Sequence, residues 1–438
     1  MTTIVALLNA GTNLKPHSLN KSPDLGAQDT DVKDFVFNND GSKMFVAGNE
    51  NNSIYEYTLT TDYDVTTASY SNNSFSVNTQ DGNPQGIAFN NDGTKMFIVG
   101  NTNNSIYEYT LTIGFSLASS NVTYSTNSFS VSSQDTTPTG IVFNSDGTKM
   151  FITGIANNRI YEYTLTNGFS LATGNVNYSN NSFSVNTQDN SPQGIAFNND
   201  GKKMIIIGNQ NNKFFEYTLD NGFSLASSNV TYSNNSLHIN DTNSVQTGVQ
   251  FNGDGTKIYQ LGNYQDDEYV YEYNLGTAYD ITSVTNVILD ASIDFILGAN
   301  LTIGSGITLT IPSGRILTNN DTITNNGTLT NNGTIDGNGS VIFTNIASYN
   351  NTSDNTDIPS ILSSEMSLSK YNGLTTTIII SSNETITIDA NGKLSIDTGV
   401  TLTNNGTITT NGSLIKNGTI NGTGTIVFES IKSYNNTS

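Results

Sequence analysis

Short apolar runs alternate with Asn-, Asp- and Gly-rich corners along the first 290 residues, and the alternation repeats. The text FNNDGSKMFVAGNENNSIYEYTL begins at Phe37 and returns, lightly changed, at Phe89, Phe143 and Phe197; a looser FNGDGTKIYQLGNYQDDEYVYEYNL begins at Phe251. Successive starts lie 52, 54, 54 and 54 residues apart. Each unit holds four strand-like runs, in the second unit Gly86–Phe89, Lys95–Val99, Ile106–Leu111 and Ser128–Val131. The Asn-Asp-Gly corner after Phe89 predicts a hairpin, because Gly supplies the positive φ of such a turn. Asn101 to Asn104 predict a second turn. Four antiparallel strands per fifty-odd residues, repeated, predict propeller blades. Five repeats predict a five-bladed β-propeller. Ser22 to Gln28 align with the fourth-strand region of the other units and are expected to complete the last blade and close the ring.

From Leu317 the pattern changes. Leu317, Ile323, Leu329, Ile335 and Val341 recur every six residues, with Gly327, Gly333 and Gly339 in step. The block returns 85 residues on, at Leu402, Ile408, Leu414, Ile420 and Ile426. The closing SYNNTS at Ser433 to Ser438 repeats Ser348 to Ser353 at the same offset, so the last residues are the end of a duplicated module. A six-residue step with one aliphatic and one Gly predicts a β-solenoid-like stack, aliphatics inward and Asn pairs laddered along the axis. Each module has about five hexads, a thin core for one chain. Three chains winding together and sharing that core is the preferred expectation; a β-stack in a monomer is the alternative. A stack ending at a module boundary shows no cap, so its end is expected to be covered by neighbouring chains or continued by further modules.

The fold class read from the sequence is therefore all-β: a five-bladed propeller followed by two tandem solenoid-like stalk modules, intertwined as a trimer in the preferred form. The divisions are 1–21 an N-terminal arm, 22–290 the propeller, 291–353 stalk module 1, 354–375 a linker and 376–438 stalk module 2.

Composition narrows the function. Net charge is −21, with two arginines, Arg159 and Arg315, so no basic face offers itself to nucleic acid. The chain has no Cys, which excludes disulfides and thiolate chemistry. Ile4 to Leu8 is too short for a secretory h-region and has no basic residue before it. Phe295 to Gly314 has membrane-span length but is broken by Gly, Thr and Pro312. Neither a signal peptide nor membrane insertion is expected. The Asn-x-Ser/Thr sequons, for instance at Asn326, Asn332 and Asn405, are then not expected to carry glycans.

Two charged positions recur in all five units: Lys43, Lys95, Lys149, Lys203 and Lys257, and Glu56, Glu108, Glu162, Glu216 and Glu272. The hairpin register puts them on neighbouring strands. Five copies predict a structural ion pair within each blade, since an active site occurs once. Asp29, Asp81, Asp135 and Asp189 recur in the loop before each first strand; the fifth unit has Asn243 and Gln246 where Asp and Pro fall. Asx-turn caps are the expected role, with a Ca2+ site the alternative, because carboxylates are hard ligands. The two histidines, His17 and His238, lie far apart in sequence. No HExxH, GxSxG or P-loop appears, and the near-identical blades offer no unique trio of carboxylates for glycoside hydrolysis. No catalytic residue and no cofactor are expected.

The unit PxGIxFNxDGTKMFIxG…NxIYEYTL, over roughly residues 29 to 290, resembles repeats in large structural and fibre-like proteins of marine bacteriophages and in some secreted proteins of marine bacteria. The hexad text LTNNGTITNNGTI resembles stretches of phage tail fibres. These resemblances imply a virion structural protein that attaches to a host surface, assembles as a homotrimer and docks to other virion proteins through Met1 to Asn20. They leave room for a host-surface glycan or protein as partner. The alternatives are a secreted or cell-surface adhesin or filament subunit, and a lectin or glycosidase on the propeller.

Overall fold

The computed structural model describes residues 20–239, 245–264, 267–289 and 398–429 continuously, and shorter strands elsewhere. The chain divides into two units, Ser18–Ser283 and a second made of Met1–His17 with Val284–Ser438.

Ser18–Ser283 forms five four-stranded antiparallel sheets. Blade 1 is Val32–Phe37, Lys43–Gly48, Ser53–Leu59 and Ala68–Ser76, in that spatial order. Blades 2 to 4 repeat it. Blade 5 takes Gln246–Phe251, Lys257–Tyr264 and Asp267–Asn274 from its own repeat and Asn20–Lys21 as its fourth strand. The first strands of successive blades pack side by side, and that of blade 5 packs on that of blade 1, so the ring is closed. The Asn-Asp-Gly corners behave as the sequence predicts, with φ of 75° at Gly41 and 70° at Gly93. The fourth strand of blade 2 is longer than its apolar pattern shows, running Val122–Ser130. Its first half is polar and carries Thr126 at φ 70° beside a register shift, which hides the alternation.

Each sheet is apolar on both faces, because each is sandwiched between two others. Phe45, Ala47 and Ile54 of blade 1 pack against Met96, Ile98 and Tyr109 of blade 2. The same arrangement joins blades 2 and 3 and blades 3 and 4. Blade 5 meets blade 1 through Tyr259, Leu261 and Val270 against Phe35, Met44 and Val46, with Leu25 in the same cluster. Ring closure is thus made by the start of the chain: Ser22 N donates to Val270 O (2.9 Å) and Leu25 N to Glu268 O (2.8 Å). The hydrogen-bonded strand, Asn20–Lys21, lies just before the expected segment Ser22 to Gln28.

In the second unit the strands pair in parallel. The partner is the third strand on, as in Leu317↔Ile335, Ile323↔Val341, Leu402↔Ile420 and Ile408↔Ile426, each 18 residues apart. Leu317, Ile323, Leu329, Leu402, Ile408 and Leu414 are fully buried. The apolar core that looked thin at one aliphatic per hexad is assembled from three strands of the same chain at each 18-residue step. Corner polar groups bridge the same step: Asn405 Oδ1 accepts from Thr423 N (3.2 Å) and Asn411 Nδ2 donates to Glu429 Oε2 (2.8 Å). The N-terminal arm joins this unit. Thr2–Thr3 pairs in parallel with Leu301–Thr302, and Leu14–Pro16 pairs antiparallel with Val287–Leu289.

Leu25→Ala opens a cavity in the seam that closes the ring and is expected to cost about 3 kcal/mol. Chemical denaturation checks this; a loss below about 1 kcal/mol would mean that the seam contributes little to holding the ring.

Candidate functional site

The repeated charged residues are placed first, because they decide what is left over for chemistry. All five Lys–Glu pairs form, from 2.7 Å at Lys43–Glu56 to 3.5 Å at Lys203–Glu216. Each glutamate is almost fully buried. The pair is more than an intrablade bridge. Lys43 Nζ also donates to Phe115 O of blade 2 (2.7 Å), and Glu56 Oε2 accepts from Leu117 N of the same loop (2.6 Å). Blades 2 and 3 repeat this on Phe169 and Leu171 and on Phe223 and Leu225. Lys203 donates to Tyr279 O (3.0 Å), and Lys257 to Tyr63 O (3.3 Å), which carries the contact from blade 5 round to blade 1. The five lysines and the three glutamates Glu56, Glu108 and Glu162 clasp each blade to the next.

The four aspartates are buried turn caps. Asp135 Oδ1 accepts from Thr137 N (2.9 Å) and Ala156 N (3.1 Å), and its Oδ2 from Asn157 N (3.1 Å). Asp29 accepts from Asp31, Glu50 and Asn51, Asp81 from Asn83, Thr102 and Asn103, and Asp189 from Ser191 and Asn211. Each sits in its own blade, and the carboxylate oxygens are occupied by backbone amides. Among the described residues no group of three or more His, Asp or Glu side chains is placed to hold a metal ion. Gln246 of the fifth blade is bonded to Gln260 instead. Asn243 and His17 lie outside the described residues, as does the side chain of His238, whose backbone pairs with Lys213.

What remains is the axis. The five first strands enclose a pocket of about 360 Å³. Phe37, Phe89, Phe143, Phe197 and Phe251 line it, and corner residues such as Asn39, Asn91 and Asn199, all exposed, surround its mouth. Toward the other end the strands converge. A Cβ on Gly86 would meet Thr139 O at 2.6 Å, one on Gly140 would meet Gln193 O at 2.8 Å, and one on Gly194 would meet Thr247 O at 2.9 Å. Glycine at this level lets the inner strands approach. Blade 1 alone carries a side chain there, Asp34, where blades 2 to 5 have Gly86, Gly140, Gly194 and Gly248.

Asp34 is the one charged residue lining the pocket. Its Oδ1 accepts from Phe35 N (2.9 Å) and its Oδ2 from Ile87 N of blade 2 (3.0 Å). Burial pushes its carboxyl up to about 7, against the downward pull of those two amides. Gln250, standing where other blades have Val or Ala, takes the amide of Phe37 (2.9 Å). Repeats aligned on their shared residues hide this position, because the eye follows what recurs. The signal is the single departure from Gly in the PxG text, at VKDFVF.

Lys149→Met leaves the buried Glu162 without its cation and is expected to destabilise the propeller by about 3 kcal/mol, with much of the loss recovered in the Lys149→Met/Glu162→Leu double variant. Denaturant midpoints of the three proteins check this. A carboxyl raised to about 7 in the fold, against 3.8 unfolded, holds its proton longer when folded, so it lowers stability progressively as pH rises between those values. Asp34→Asn removes that ionisation. Its melting temperature relative to the natural protein should therefore climb from pH 4 to about pH 7 and then level off; a pH-independent difference would contradict the buried-acid assignment.

No family model and no curated protein matches the chain. Among solved structures it is similar to a functionally unknown protein of Desulfotomaculum acetoxidans, with 13% identity, 59% of this chain and 69% of that one covered, and a TM-score of 0.36. It is similar also to the β-propeller domain of Myceliophteria thermophila Cps50, with 9% identity, coverage of 55% and 82%, and a TM-score of 0.33. The periplasmic gluconolactonase PpgL of Pseudomonas aeruginosa has 12% identity, coverage of 48% and 54%, and a TM-score of 0.32.

Proposed function

We propose that the chain is a non-enzymatic structural and attachment protein of a bacteriophage particle, a head or tail fibre that contacts the host surface. In this reading the five-bladed ring is a rigid recognition or assembly module, and the parallel-strand unit is a β-solenoid stalk. The observation that carries it is the in-register 18-residue ladder, in which Leu402 stands over Ile420 and Ile408 over Ile426. Such a ladder lengthens by adding identical steps, which suits a projecting rod. The use of the repeated Lys, Glu and Asp side chains within and between blades supports the same reading.

The oligomer in this proposal is a homotrimer. Because each described stalk strand pairs within its own chain, three such stalks would associate side by side, each bringing its own core. Docking to other virion proteins is proposed for the arm, residues 1–21. Thr2–Thr3 and Leu14–Pro16 are edge strands of their sheets, and their unpaired sides are available to a partner strand.

A lectin-like role for the propeller is a second reading, favoured by the axial pocket and its lone carboxylate. Glycoside hydrolysis needs two carboxyl groups across the scissile bond, and the described pocket lining supplies one, Asp34. A secreted or cell-surface adhesin built of the same two modules is the remaining alternative.

Sedimentation equilibrium of the full chain, with mass spectrometry of purified particles, tests the proposal. The expected result is a trimer present at a fixed copy number per particle. A monomer absent from particles would defeat it.

A further inference from the structure

We propose that the axial pocket of the propeller binds a small organic monocation, an amine with an apolar or aromatic body, with Asp34 as its counter-ion. This inference stands independently of the role in a particle, since it concerns the propeller alone.

The argument begins from the difference between blades. Four glycines and one aspartate occupy equivalent places at the narrow end of the pocket. A purely structural ring would be served by a fifth glycine, since Gly86, Gly140 and Gly194 each close against the next strand without a side chain. Placing a carboxylate there costs desolvation, which two backbone amides offset only in part, and Asp34 has no cationic partner among the described residues. Its two oxygens accept one backbone amide each (2.9 and 3.0 Å). A carboxylate offers about four acceptor positions, so the two amides leave about two for a ligand.

The rest of the lining fits the remainder of such a ligand. The phenylalanines supply apolar contact. The inner strands are sheet edges, with backbone carbonyls turned to the axis that an ammonium's other protons can reach. A volume of about 360 Å³ admits a small ring with a short arm. An anion would meet a single negative charge with no basic side chain in the lining.

Charged groups on the packed elements are otherwise engaged. Lys33 pairs with Asp31, just before the start of its strand. Lys43 on the adjacent strand is held by Glu56 and Phe115 O, and Lys257 of blade 5 by Glu272 and Tyr63 O. The facing strands Pro84–Phe89 and Gln246–Phe251 carry no titratable side chain. Affinity for a cation therefore follows the ionisation of Asp34.

Isothermal titration calorimetry of the full chain at physiological ionic strength, with benzylammonium and the neutral isostere benzyl alcohol, tests the proposal. At pH 8 the natural protein should bind one benzylammonium per chain, about tenfold or more tighter than benzyl alcohol. Affinity for the cation should rise about tenfold from pH 6 to pH 8, and that for the alcohol should stay flat. Asp34→Asn, shown to be folded by circular dichroism, should lose the preference. Asp34→Ser serves the same purpose should the asparagine variant misfold, and the comparison of the two ligands on the natural protein needs no variant. Absence of saturable binding, equal affinity for the two ligands, or a preference unchanged in the variants would overturn the proposal. Binding of several cations per chain that survives the substitution would mean attraction to the acidic surface only.

Discussion

A buried carboxylate held between a lysine of its own blade and a backbone amide of the next is the interaction on which the propeller depends. Glu56, Glu108 and Glu162 each make it, and the matching lysines tie the carbonyl side of the same loop. Hydrophobic burial between blades is larger in area but has no direction. The clasp fixes each blade's distance and rotation relative to its neighbour, because charge-assisted hydrogen bonds tolerate little displacement. The lysine half of the clasp recurs at all five seams, a fixed rotation closes a ring, and Asn20–Lys21 fills the outer edge of blade 5.

The two units solve the same shortage of apolar residues in different ways. In the propeller every sheet is buried on both faces, so one residue in the middle of a strand serves the core whichever way it points. In the second unit the strands are short, with one inward aliphatic per hexad, and burial is achieved by stacking equivalent residues over one another. Polar groups at the corners then bond across the 18-residue step, as Thr423 N does to Asn405 Oδ1 (3.2 Å). Both arrangements make each repeat stable only beside its neighbours.

The fold was largely legible. Blade number, strand order, the corner turns and closure by the N-terminal segment follow from spacing and turn chemistry, which are local. Ion pairing of the recurring Lys and Glu was also legible, since hairpin register sets neighbouring strands. Their reach into the next blade was not, because a contact over 61 residues, such as Glu56 to Leu117, has no local trace. The axial Asp34 was overlooked for a different reason. In sequence it is one substitution in a loose repeat, and its significance lies in the four glycines at the equivalent places of the other blades.

The sequence by itself determined the periods. A hexad says which residue faces inward, and a 54-residue repeat says how many strands a blade has, because side-chain direction follows from the local backbone. Tertiary structure decided how many periods make one closure. Three hexads complete a step of the parallel ladder, and five blades bring four glycines and Asp34 to one level of the axis. Those numbers depend on the angle between neighbouring elements, and that angle is set by contacts between residues far apart in the chain. The same contacts give Asp34 its desolvated pocket and raise its carboxyl to about 7.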